Sequence, residues 1–65
     1  MSINRLTPRE KEVADLTKQG FADQEIALYL DISQHTAKNH VKQIYRKLDV
    51  NTRAKLVAFL NRRTG

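Results

Sequence analysis

The stretch ISQHTAKNHVKQIYRKLDV, residues 32–50, decides the fold because its apolar and basic residues follow the period of an α-helix. At 100° per residue, one apolar set falls within about 60° of Val41 and forms a core-facing stripe. The members of this stripe are Ala37, Ile44, Tyr45 and Leu48. A second set fills one continuous arc from about 60° to 200° around the helix. This cationic arc consists of His35, Lys38, Asn39, Lys42, Gln43 and Arg46.

The cationic arc contains no carboxylate, although a merely solvated helix face usually mixes the two signs of charge. Lys38, Lys42 and Arg46 each stand four residues from the next. Like charges at this spacing repel one another on a helix. The arrangement is therefore favourable only beside an anionic partner.

The charge of the chain is divided between its two halves. Residues 1–31 hold four Lys or Arg against six Asp or Glu, a net charge of −2. Residues 32–65 hold eight Lys or Arg against one acid, a net charge of +7. Such an asymmetry indicates one surface made for a polyanion, either nucleic acid or an anionic membrane.

The chain is short, with 65 residues and no cysteine, so a single small domain must be stabilised by packed helices or by a partner. No apolar run approaches the roughly 20 residues that span a bilayer, and no signal peptide opens the chain. These features predict a cytoplasmic protein without a membrane partner.

Helix start and stop signals recur along the chain, and no strand-like alternation is present. They predict helices at about residues 8–18, 24–30, 34–48 and 53–61. The predicted N-caps are Thr7, Asp23, Ser33 and either Asn51 or Thr52. Gly20 and Asp31 supply left-handed residues at helix ends. The fold expected over residues 1–65 is all-α, a compact four-helix bundle with a central helix-turn-helix.

The last predicted helix is apolar on every side, because its sequence LVAFL occupies residues 56–60 without interruption. If Leu56, Phe59 and Leu60 pack inward, a second apolar face remains outside. We call it the dimer face, and it consists of Ala54, Val57, Ala58 and Asn61. From the residues alone, this face is either a tolerated exposed patch or a contact between two copies.

Catalytic and metal chemistry find no support in the sequence. No nucleophile with a base, no carboxylate pair and no glycine-rich phosphate loop is present, so an enzyme and a cofactor are not expected. His35 and His40 lie about 140° apart around the helix and cannot share a metal ion. Tyr29 and Tyr45 are expected to be half-buried at the edge of the core.

Four motifs together resemble the LuxR-type (GerE-type) helix-turn-helix domain of bacterial transcription regulators. They are LTPREKEV, EIA, IS-x-x-T-x-K-x-H and KLDV-x-x-R, in residues 6–53. The related helix-turn-helix of sigma factors fits these spacings less well. The resemblance implies a third helix in the DNA major groove, a fourth helix that pairs two copies, and RNA polymerase as a further candidate partner. The family usually has glycine where this chain has Asp31 and Asp49.

The residues and the resemblance together predict double-stranded DNA as the ligand, bound by a weak homodimer. Recognition helices contact base edges with their first half, so the base-facing residues are predicted to be Lys38, Asn39, Lys42 and Gln43. The predicted phosphate contacts are Thr36, Arg46 and Lys47. One alternative is a basic helical module that binds protein. Membrane-surface binding is disfavoured, because helix three keeps no bulky apolar face once its core stripe is buried.

Overall fold

The computed structural model describes residues 5–64, with side chains as far as Arg62, and this range contains four α-helices and no strand. The helices are Pro8–Lys18 (α1), Asp23–Leu30 (α2), Gln34–Leu48 (α3) and Arg53–Thr64 (α4). The prediction of an all-α, four-helix fold is confirmed. The bounds of α1 and α3 agree with those expected from the sequence, whereas α2 begins one residue earlier and α4 continues past residue 61 to Thr64.

The first helix begins with the capping box that its sequence predicts. The Glu10 backbone N–H donates to Thr7 Oγ1 at 3.1 Å, and the Thr7 backbone N–H donates to Glu10 Oε1 at 2.9 Å. Pro8 takes the first helical position, where its missing N–H would have no partner within the helix. Thr7 and Glu10 therefore each satisfy one of the orphan N–H groups at the start of α1.

Three helices end in the same way, with a left-handed residue followed by an apolar one. The left-handed residues are Gly20, Asp31 and Asp49, with φ angles of 100°, 57° and 56°. The apolar residues that follow are Phe21, Ile32 and Val50. Each donates its backbone N–H to the carbonyl five residues earlier at 3.0 Å and packs against the core. This Schellman arrangement closes each helix within one turn, which keeps the connection between α2 and α3 short.

The predicted N-cap of α2 is wrong. The cap position is Ala22, whose backbone N–H donates to Glu25 Oε1 at 2.7 Å. Asp23 is the first helical residue, and its carboxylate accepts a hydrogen bond from Arg53 of α4 instead. The charged guanidinium is a stronger partner for a carboxylate than a backbone N–H. Ser33 caps α3 as predicted, and of the two candidates for α4 it is Thr52 that accepts the backbone N–H three residues on, from Lys55.

The core takes apolar side chains from all four helices. α3 packs against both α1 and α2, and α4 packs against α1. Fully buried members include Val13 of α1, Ile26 of α2, Ile44 of α3 and Leu56 of α4. α2 and α3 form the helix-turn-helix unit, and the shared core fixes its outer surface. Within the range that the structure describes, no helix is both long and apolar enough to cross a membrane.

The outer face of α2 departs from expectation. Tyr29 is 69% exposed and Leu28 is 76% exposed, so the prediction of a half-buried Tyr29 is wrong. α2 has only eight residues and buries Ile26 and Ala27, which leaves the following two side chains outside. The rings of Tyr29 and Phe21 are nearly perpendicular, with their centroids 5.7 Å apart. Tyr45 is half-buried, as predicted.

Candidate nucleic-acid interface

One side of α3 is held in the core along its whole length. Ala37 and Ile44 are completely buried, Leu48 is 2% exposed and Val41 is 6% exposed. Four anchored residues over three turns fix the rotation of the helix about its own axis, because turning it would expose them. The opposite side of α3 is consequently presented to solvent in one defined orientation.

The cationic arc occupies that solvent side. All six of its residues are exposed. Among the side chains that the structure describes, Lys38, Lys42 and Arg46 make no ion pair with a carboxylate. The three positive charges therefore repel one another with no internal compensation, as their spacing predicts.

The four predicted base-facing residues lie together on this side. Residues 38 to 43 cover about 7.5 Å of helix axis. A B-DNA major groove is about 12 Å wide and admits an α-helix. Lysine is a donor that matches guanine O6 and N7, and asparagine or glutamine can pair with adenine N6 and N7. Lys38, Asn39, Lys42 and Gln43 thus present both kinds of recognition chemistry on one exposed surface.

At the amino end of α3, a hydrogen bond from Ser33 holds the hydroxyl group of Thr36 in place. Ser33 Oγ accepts from the Thr36 backbone N–H at 3.0 Å and donates to Thr36 Oγ1 at 2.8 Å. A hydroxyl that accepts a bond still has its own proton to donate. Thr36 is half-buried as a residue, and the hydrogen bond that Ser33 donates to its hydroxyl is exposed, so the proton of that hydroxyl is free for an acceptor such as a phosphate oxygen.

Lys47 has an intramolecular partner. Its Nζ donates to Glu10 Oε1 of α1 at 2.7 Å, and the two side chains are 28% and 6% exposed. At 100° per residue Lys47 falls outside the cationic arc, on the flank of α3 that faces α1. The helical period of the sequence already separates Lys47 from the cationic arc, so the predicted phosphate contact at Lys47 neglected its position around the helix. Arg46, one residue earlier, is exposed.

The Glu10–Lys47 pair has a clear electrostatic character. Burial, the largest single influence, raises the pKa of Glu10. Hydrogen bonds from Lys47 and Thr7, together with the charge of Lys47, outweigh the effect of burial. The pKa of Glu10 therefore lies below its ordinary value, and the carboxylate stays ionised at neutral pH.

The dimer face lies on the outside of α4. Ala54, Ala58 and Asn61 are exposed and Val57 is half-buried. Leu56 and Leu60 are buried, and Phe59 packs against the core. The division of α4 into an inner and an outer face therefore follows the sequence prediction, while pairing of two copies stays a prediction.

A residue that the sequence prediction gave no role connects α4 to the helix-turn-helix unit. Arg53 donates from Nη1 to the Phe21 carbonyl oxygen at 3.2 Å and from Nη2 to Asp23 Oδ1. Its partners lie 32 and 30 residues away in sequence. The KLDV-x-x-R motif contains Arg53 but carries no information about these partners.

The chain is similar to known proteins over most of its length. The family model described as "Bacterial regulatory proteins, luxR family" matches residues 4–60. The nitrate/nitrite response regulator protein NarL of Escherichia coli (strain K12) is 36% identical over 59 residues, which are 91% of this chain and 27% of that protein. A putative HTH-type transcriptional regulator from Aeromonas salmonicida is 48% identical over 59 residues, which are 89% of this chain and 30% of that protein.

A solved structure also matches most of the fold. The DNA-binding domain of the response regulator ComA, in complex with the anti-activator RapF, superposes with a TM-score of 0.78 at 36% identity. The match covers 82% of this chain and 91% of that domain. The chain spans less than a third of the length of the two regulators named above.

Proposed function

Because the chain belongs to the LuxR family of bacterial regulatory proteins, we propose that it binds specific double-stranded DNA through α3 and pairs through α4. As a member of that family it is a helix-turn-helix DNA-binding domain of the kind found in transcription regulators, and it is not an enzyme. The finer proposal concerns which residues face the bases, which hold the backbone and which join two copies.

The observation that carries the proposal is the exposed, acid-free cationic arc, fixed in orientation by the buried side of the same helix. Seated in a major groove, this surface would replace internal charge repulsion by attraction to phosphates. Lys38, Asn39, Lys42 and Gln43 would then face the base edges, and Thr36 and Arg46 would contact phosphates. We leave Lys47 out of the phosphate contacts, because Glu10 already holds its ammonium group.

Selection of bound sequences from a random duplex library, followed by affinity measurements across a salt series, tests the proposal. We expect one enriched half-site in a two-fold arrangement and an affinity that falls steeply with salt. A logarithmic slope of about −0.9 is expected for each phosphate contacted. A selection without enrichment, or an affinity insensitive to salt, would contradict specific DNA binding.

Pairing through the dimer face is the second part of the proposal. The face is formed mainly by two alanines and one valine, so the apolar area available to each copy is small. We therefore expect a monomer in dilute solution and cooperative binding of two copies on a two-fold site. Sedimentation that shows a tight dimer at micromolar concentration would contradict weak pairing. Cooperative binding that survives Val57→Asp would exclude this surface.

Protein binding is a second candidate function, because the similar domain of ComA was solved in complex with the protein RapF. The exposed Leu28 and Tyr29 offer apolar contact area for a protein, and RNA polymerase is one candidate partner. Replacing both residues by serine distinguishes the two functions. DNA affinity should be unchanged, whereas a domain whose main ligand is a protein at this surface should lose that ligand.

A further inference from the structure

The amino end of α4 is attached to the start of the helix-turn-helix unit by one side chain. Arg53, the first residue of α4, reaches both the α1–α2 connection at Phe21 and the first residue of α2 at Asp23. α4 packs mainly against α1. Arg53 supplies a direct polar link from α4 to the start of the helix-turn-helix unit.

The link constrains direction as well as distance. Two different nitrogens of one planar guanidinium bind a backbone carbonyl and a carboxylate that lie two residues apart, on Phe21 and Asp23. A rigid fork held at two points defines an orientation, whereas an ammonium group with one point charge does not. A groove between α1, the α1–α2 connection and α4 adjoins the link, and its lining includes Phe21, Asp23, Arg53 and Val57.

A purely stabilising role would be weak at this position. The side chains of Arg53 and Asp23 are 39% and 25% exposed. Ion pairs in contact with water contribute little to folding, since solvent screens them and both side chains lose freedom. We therefore expect the main effect of the contact on the orientation of α4, and only a small effect on stability.

We infer that Arg53 is a positioning residue that sets the tilt of α4 against the helix-turn-helix unit, and thereby the half-site spacing that a pair of copies prefers. This inference rests on the proposed function, because it needs α3 in the groove and α4 at the two-fold axis. The tilt of α4 in each copy then determines the distance and relative rotation of the two recognition helices. One inserted base pair rotates the second half-site by about 34° around the DNA axis. A fixed tilt consequently selects one spacing.

The test uses the 65-residue chain and duplexes that carry two selected half-sites, with the spacer varied in steps of one base pair. A duplex with a single half-site reports intrinsic recognition. Three variants are compared with the wild type by fluorescence anisotropy: Arg53→Met, Arg53→Lys and Asp23→Ala. Arg53→Met removes a positive charge and Asp23→Ala removes a negative one, so a general effect of charge on DNA affinity has opposite signs in the two.

We expect the wild type to prefer one spacing. Apart from the general effect of the changed charge, all variants should bind the single half-site with an affinity within about twofold of that of the wild type. The ratio of affinities between the best and the adjacent spacing should fall about three- to tenfold in Arg53→Met and in Asp23→Ala. Arg53→Lys, which retains the charge without the fork, should lose part of the preference.

An unchanged spacing preference in Arg53→Met and Asp23→Ala would overturn the inference. So would opposite effects of these two variants, because charge would then explain them. A wild type that binds none of the duplexes better than a scrambled one would instead defeat the proposed function itself. If Arg53→Met does not fold, which circular dichroism reveals, Asp23→Ala and Arg53→Lys decide the question.

Discussion

The two flanks of α3 carry the same kind of charge and use it differently. On one flank, Lys47 is bound to the buried carboxylate of Glu10 and joins α3 to α1. On the other flank, Lys38, Lys42 and Arg46 are exposed and make no such pair among the described side chains. The lysine that is paired with a buried acid stabilises the fold, whereas the lysines without such a partner form a surface that can bind an anion. Substitutions on the two flanks should therefore alter different measurements.

The largest effect on folding is expected from Lys47→Met. The substitution leaves the buried Glu10 carboxylate without its cation, and breaking a buried pair in this way is strongly destabilising. Because Lys47 is partly exposed, we expect a loss of about 2–3 kcal/mol in the free energy of unfolding, below the full range for buried pairs. Urea denaturation measures it. The matched control is Lys38→Met, which should change stability by less than about 0.5 kcal/mol. Equal losses would contradict the comparison.

The same pair predicts how stability depends on pH. The pKa of Glu10 is lowered in the folded state, so its contribution to stability is present above its ordinary pKa. The contribution is lost as the pH falls through the lower, folded-state value. Denaturation between neutral pH and pH 2 should show a smaller acid-induced loss in Lys47→Met than in the wild type, because Lys47 helps to lower that pKa. An identical pH dependence in the two proteins would show that the pair does not form.

On the other flank, Lys42→Ala should reduce specific affinity by about 1–3 kcal/mol and relax the preference at one base pair. Its stability should be unchanged, because Lys42 is exposed. Binding to a panel of single-base variants of the selected site measures the effect. Lys55→Ala removes the same charge at an exposed lysine of α4 that is not among the proposed DNA-contact residues. Loss of affinity in both variants without any change in base preference would make Lys42 a general charge.

Arg46→Ala should have a smaller and more uniform effect. As a proposed phosphate contact, Arg46 should support binding to all sequences alike, and its removal should lower the magnitude of the salt slope by about one. Affinities for the selected and a scrambled duplex across a salt series measure the slope. A loss confined to particular sequences would make Arg46 a reader of bases.

The smallest effect concerns the turn before α3. Asp31 adopts a left-handed conformation that glycine adopts with less strain. Its negative charge also lies at the carboxyl end of α2, where the helix dipole disfavours it. We expect Asp31→Gly to raise the free energy of unfolding by about 0.5–1 kcal/mol, with the base preference unchanged. Asp31→Ala is the control and should lower stability. A less stable glycine variant would contradict the strain argument.

Local signals predicted most of the fold. The caps at Thr7, Ser33 and Thr52 and the helix ends at Gly20 and Asp31 depend on residues a few positions away, so the sequence displays them directly. The two faces of α3 likewise follow from the helical period alone. Local signals were not sufficient everywhere, since the cap of α2 is Ala22 with Glu25 and not the predicted Asp23.

Long-range pairs were beyond the sequence argument. Lys47 meets Glu10 across 37 positions, and Arg53 meets Asp23 across 30. These contacts depend on how the helices pack. One of them binds the Asp23 carboxylate, which therefore does not cap α2 as predicted. Tyr29 was misplaced for a related reason, since the burial of a short helix depends on what covers it. The end of α4 was placed too early because residues 61–64 contain neither glycine nor proline to stop a helix.

The most informative single measurement is an NMR titration of the isotope-labelled chain with its selected duplex. We expect the largest changes in chemical shift along residues 36–46, on the exposed side of α3, while the side-chain signals of Glu10 and of the Lys47 ammonium end stay nearly constant. Large changes confined to α1 or the outside of α4, with the cationic arc unaffected, would contradict the assignment of α3 as the DNA-binding helix.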